Sequence, residues 1–263
     1  MLKLFRYVKE KKEIILRLAI ADIKTRYAGS FLGILWSLLE PLFLILVYSI
    51  VFPLILKANF KEWFLFFITG FIPFRYFRKS ILEITTSLVD YSNILEKSRM
   101  DAETMILAKA ISILISFLIE LSIILFLVIP FVKPSIFYIL LPIAIFTSFL
   151  TALGFGFIFS VMYPKARDIS YILSIVFEAL FFLTPSVYRI ENIPSLYRGI
   201  YFLNPFARFV YFYQGIFLYN SPQFEKYFSL FEEAFLLFLF SAFVLIIGYK
   251  KFEKEKYESL EAI

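Results

Sequence analysis

The chain has no cysteine and no histidine. Without cysteine there is no disulfide framework and no thiol chemistry. Without histidine the commonest general base and metal ligand is missing. A metal would have to be held by carboxylates alone, an uncommon donor set for a catalytic zinc. Glycine is scarce as well. None of the eight glycines is followed by lysine, so the Gly-Lys-Ser/Thr that cradles phosphate in a P-loop is absent. A membrane acyl- or glycosyltransferase would be left with scattered carboxylates for its acid–base work. These gaps point away from catalysis and from ATP hydrolysis by this chain; no catalytic residue, metal or cofactor is expected in it.

What the chain has in excess is apolar surface. Hydrophobic residues make up 61% of it, against roughly 45–50% for soluble domains, and mean hydropathy is +0.82. The excess lies in runs long enough to span a membrane, with the charged residues clustered between them. A net charge of +6 therefore bears on topology, not on nucleic acid, and no nucleic-acid partner is expected.

The basic N-terminal stretch is too long and too helical for a cleaved signal peptide, and no small-residue cleavage site follows it. Lys11 to Tyr27 reads as an amphipathic helix with Leu16, Ile20, Ile23 and Tyr27 on one stripe and Arg17 and Lys24 on the other side. It is expected to lie on the membrane surface; a solvated helix leading into the first span is the alternative. Six spans follow, at about Ile34–Leu56, Trp63–Leu82 or beyond, Ile106–Phe131, Ile136–Tyr163, Ile169–Tyr188 and Phe231–Tyr249. The expected fold is all-α, one domain: residues 1–33 cytoplasmic or interfacial, 34–249 the six spans, 250–263 a cytoplasmic tail.

Lysine and arginine crowd the N-terminal segment, the Asp90–Glu103 loop, the Pro164–Asp168 loop and the tail. The alternate loops are poorer in them. The positive-inside rule places both termini in the cytoplasm. The loop of about Arg189 to Leu230 carries Pro194, Pro205, Pro222 and many rings, too aromatic for a solvated linker. Short helices re-entering the outer leaflet between spans five and six are expected there.

Charges also occur at membrane depth. Arg75, Lys79 and Glu83 fall on one helical face, with Arg78 adjacent. They read as a polar channel face, as a site for an anionic lipid headgroup, or as snorkelling side chains. Glu120 and Glu178 lie near the middle of spans three and five, suited to proton coupling or to interhelical hydrogen bonding.

The richest stretch is Lys24-Thr-Arg-Tyr-Ala-Gly-Ser-Phe-Leu-Gly-Ile-Leu-Trp-Ser-Leu-Leu-Glu-Pro41. Ser30 can cap a new helix, Gly29 and Gly33 permit a sharp turn, Trp36 suits an interface, and Pro41 bends the first span. Its pattern, carried by Lys24, Arg26, Tyr27, Ser30, Gly33, Trp36 and Pro41, resembles the start of permease subunits of polysaccharide ABC exporters, the Wzm-type O-antigen, capsule and teichoic acid family. Arg167-Asp168, Thr184-Pro185-Ser186-Val187-Tyr188 and Asn204-Pro205 with Tyr213 resemble further motifs of that family in the same order. Gln214 departs, standing where arginine is usual.

The resemblance implies a channel-forming half-transporter in a bacterial cytoplasmic membrane. Two copies would form the path for a lipid-linked polysaccharide, with two copies of a separate ATP-binding subunit that holds ATP and Mg. It implies that Asn93, Glu96, Lys97 and Arg99, with Arg167 and Asp168, form the ATPase-coupling contacts. Rings can stack on sugars while phenols exchange hydrogen bonds with their hydroxyls, so Tyr188, Tyr197, Tyr201, Phe202, Phe206 and Tyr213 become candidates for an outer aromatic gate. Two alternatives stay open: an ABC permease for another lipid or a drug, and a proton-coupled carrier using Glu120 and Glu178.

Overall fold

The structure, a computed structural model, describes residues 2–26, 28–57, 59–92, 95, 100–221, 224 and 226–263. Among the described residues every regular element is helical. The helices are α1 (Leu2–Arg26), α2 (Trp36–Leu56), α3 (Phe60–Asp90), α4 (Ala102–Val128), α5 (Leu141–Ser160), α6 (Asp168–Phe182), α7 (Ser195–Tyr201), α8 (Pro205–Leu218) and α9 (Leu230–Glu261). Short 3-10 turns at Gly33–Leu35 and Ile136–Leu140 lead into α2 and α5, and a third lies at Ile190–Asn192.

Four of these are long and apolar enough to cross a membrane: α2, α4, α5 with its leading turn, and α9. The other two expected spans differ for physical reasons. α3 runs for 31 residues, about 46 Å, but carries Arg75, Arg78, Lys79 and Glu83 in its second half. α6 has only 15 residues, about 22 Å.

α3 is the central helix and packs on α2, α4, α5, α6 and α8. α9 lies along α5 at backbone contact: a Cβ on Gly248 would stand 2.1 Å from the Gly154 carbonyl oxygen. Small residues that let backbones approach this closely are how helices pack where lipid competes for every apolar side chain.

α1 departs from its expected single stripe. Ile15, Ala19 and Ile23 are buried, spaced by four, on the face turned to α4. Leu16 and Ile20 stay exposed beside them. The helix thus has two adjoining apolar faces, one on the protein and one open. The turn out of α1 uses both glycines at positive φ, +77° at Gly29 and +52° at Gly33, where a Cβ would be strained. Ser30 contributes its carbonyl, which accepts from the Gly33 N–H. Its side chain makes no cap on α2, because the 3-10 turn intervenes.

Candidate functional site

Antiparallel packing of α2, α3 and α6 builds one cavity of about 810 Å³. α3 descends from Phe60 toward Asp90 while α2 and α6 run the other way, so each contributes an aromatic and a charged level. Toward the Phe60 end of α3 the lining is Tyr48, Phe71, Phe74, Phe181 and Phe182. Toward the Asp90 end it is Arg26, Glu40, Arg75, Arg78, Lys79, Glu83 and Glu178.

The charges are organised around Arg75. Its guanidinium donates to Glu120 on α4 at 2.7 Å and reaches Glu40 on α2 at 2.7 Å. Glu120 is nearly inaccessible, whereas Glu40 remains open to the cavity. Glu120 is therefore a buried counter-ion behind the cavity wall. Arg26 donates to both oxygens of Glu83, at 2.8 and 3.3 Å, and to Asp22 at 3.0 Å. Arg78 meets Glu178 at 3.2 Å in a largely exposed pair. Lys79 lies within the field of these groups and makes no ion pair among the described residues. Its ammonium is thus set on the cavity wall amid paired charges.

Asp22 is the second centre, and the sequence reading passed over it. Its carboxylate accepts from Lys109 Nζ at 2.6 Å, Ser112 Oγ at 2.6 Å and the Tyr91 hydroxyl. Burial alone would raise its pKa. These three hydrogen bonds outweigh burial and hold it at about 2. One side chain of α1 thereby grips the end of α3 and the second and third turns of α4. Tyr7, one end of α1 away, binds Asp101 at 2.8 Å and also Thr104. The available signals were Asp22 four residues before Arg26 and Lys109 inside an apolar run. Glu40, an acid inside the first span, carried the same kind of signal.

The other expected residues fall as follows. Asn93, Glu96, Lys97, Arg99 and Tyr27 lie outside the described residues. Arg167 and Asp168 are exposed at the start of α6. Lys24 and Trp36 are exposed, and Pro41 is buried in the second turn of α2. Tyr188, Tyr201 and Phe202 come together at the end of the molecule opposite Asp90, with centroid spacings of 6.3 and 6.4 Å, and Tyr197 is exposed on α7. Phe206 and Tyr213 do not join them. Phe206 packs on Phe77, Phe155 and Phe177 inside the bundle, and Tyr213 is fully buried beside Ser148 and Phe117. Both belong to α8, which is almost wholly buried. Both rings are part of the buried core.

The short motifs acquire plain structural roles. Asn204 caps α8 through the Phe206 N–H at 3.0 Å, with Pro205 in the first turn, and its amide donates to Leu183 O at the end of α6. Gln214, buried, donates to Pro185 O at 2.6 Å. Trp63 Nε1 donates to Val187 O at 2.9 Å. Thr184–Tyr188 is thus a bend pinned from α3, α6 and α8.

Residues 14–218 match the family described as ABC-2 type transporter. Two proteins of Klebsiella pneumoniae named O-antigen export system permease protein RfbA are 26% and 25% identical to the chain over 244 residues, covering 92% of this chain and of each of theirs. A protein of the same name from Myxococcus xanthus is 27% identical over 220 residues, 82% of this chain and 85% of that protein.

Proposed function

The chain belongs to the ABC-2 type transporter family, and from that premise we propose that it is the permease subunit of an ATP-driven exporter of lipid-linked polysaccharide. It works in a bacterial cytoplasmic membrane, with both termini inside. In this reading α2, α3, α4, α5, α6 and α9 are the six spans, while α7 and α8 re-enter from the outer side. Two copies face each other across the cavity, and each docks one ATP-binding subunit through the Asp90–Glu103 and Pro164–Asp168 segments.

The observation that carries the reading is the cavity itself. It is charged at one end and aromatic at the other, and it lies between α2, α3 and α6; with these three as spans, it sits at membrane depth. Charges there require a water-filled path or a partner, because lipid solvates them poorly. Lys79, with Arg26 and Arg75 close by, suits a phosphate-bearing headgroup. The rings above suit a sugar chain that slides without tight sites. The names of the relatives supply the polysaccharide class.

The proton-coupled alternative lacks such support. Glu120 is engaged by Arg75, and Glu178 by Arg78. A carrier acid needs freedom to gain and lose its proton in turn.

Purification from the native membrane in mild detergent, followed by mass spectrometry, tests the partnership. A soluble subunit with a P-loop at one copy per permease is expected. Its consistent absence, under conditions that keep other ABC complexes intact, overturns the reading.

A further inference from the structure

The last three turns of α9 extend past the apolar run and lie against the start of α4 and the end of α5, beside both segments assigned above to the ATPase. Phe252 anchors the stretch, fully buried with its ring 4.9 Å from that of Phe157. On one edge Lys256 bonds Glu103, in the first turn of α4 at the end of the Asp90–Glu103 segment, and Glu253 at 2.8 Å. On the other edge Ser259 Oγ donates at 2.7 Å to the carbonyl oxygen of Val161, which ends α5 three residues before the Pro164–Asp168 segment, and Lys165 inside that segment reaches Glu258 at 2.7 Å.

These contacts differ in weight. Lys165–Glu258 is exposed, and such pairs contribute little. Ser259 is fully buried, and Glu103 and Lys256 are mostly so. Loss of one partner there leaves a charge or a carbonyl unpaired away from water. The arrangement is specific: α4 begins here and α5 ends here, and the tail of α9 bonds to both.

We propose that residues 250–261 are a strap that fixes the two cytoplasmic segments relative to each other, with Lys256 as its positioning residue, so that a push on one segment reaches the other. The mechanical part stands on the contacts alone; its use in coupling rests on the reading that an ATPase presses on these segments.

The absence of cysteine makes the test clean. Spin labels are placed through Met100→Cys and Ala166→Cys in full-length permease diluted with excess unlabelled chain, so that each pair of copies carries at most one labelled chain, and the distance distribution within it is measured. The unaltered strap should give one narrow distribution, and Lys256→Met should broaden it. Equal widths overturn the strap. Should Lys256→Met fail to fold, Ser259→Ala serves in its place with the same expectation.

In proteoliposomes holding the permease with its co-purified ATPase, Lys256→Glu and Glu103→Lys should each lower glycan moved per ATP by about ten-fold. The double exchange should restore most of it. An unchanged ratio in both single variants, or a double variant no better than either, overturns the role in coupling. A wild-type preparation that moves no glycan overturns the functional reading and leaves the label distances to decide the strap.

Discussion

Arg75 is held between Glu40 and Glu120 at the level where α3 faces the cavity. Removing it strands Glu120, which has almost no access to water. Arg75→Ala should therefore lower stability by about 3–5 kcal/mol, read as a fall in melting temperature in detergent. Adding Glu120→Gln should recover a large part of that loss; no recovery would mean that the pair is not what holds α3 to α4. Asp22 makes a pH-dependent claim. Its carboxylate is more acidic in the folded protein, at about 2, than the ordinary value of 3.8, so below that ordinary value the unfolded chain binds the extra proton. The stabilisation is complete above about pH 4 and fades as pH falls toward 2. Thermal melts from pH 5 to 2 should show a steeper fall for the wild type than for Asp22→Asn; parallel curves would contradict the assignment.

At the scale of elements, α5 and α9 meet at Gly154 and Gly248 with no room for a Cβ. Gly248→Val must push the two backbones apart, at a cost of about 1–3 kcal/mol or more. It should melt well below the wild type, while Gly199→Val, where a Cβ meets nothing within 4 Å, should not. This contact was not legible in the sequence. A glycine in an apolar run does not announce its partner, and Gly154 and Gly248 are far apart in the chain. The long apolar helices were legible, because their composition alone marks them. The short α6 was harder: its apolar run continues through Leu183 into Thr184–Tyr188, where the pinned bend ends the helix. α1 shows a second limit. Periodicity found an amphipathic helix, but only packing tells Ile15, Ala19 and Ile23, turned to α4, from Leu16 and Ile20, left open.

For the whole molecule, the decisive property is a charged cavity between the helices of an apolar bundle. Arg75, Lys79 and Glu83 were legible as one face of a helix, since spacing by four survives any packing. Their partners Glu40 and Arg26 were not, because they arrive from other helices. The aromatic residues were legible as a class but not by place: Phe206 and Tyr213 look like their neighbours in sequence and are sorted into the core only by the burial of α8. If the cavity is the aqueous half of a channel, Leu44→Cys on its wall should react with a membrane-impermeant thiol reagent. Phe43→Cys, beside it on the same helix but not on the cavity wall, should react far more slowly. Equal rates would mean that the cavity is not a water path.

The most direct test of the central claim is transport itself. The permease and its co-purified ATPase subunit are reconstituted in vesicles carrying a lipid-linked polysaccharide on the face where the ATPase sits, and a glycan-binding protein reports polymer on the opposite face. The account predicts that polymer appears there only when ATP and Mg are supplied. Polymer that never crosses, or that crosses on a proton gradient without ATP, would contradict it.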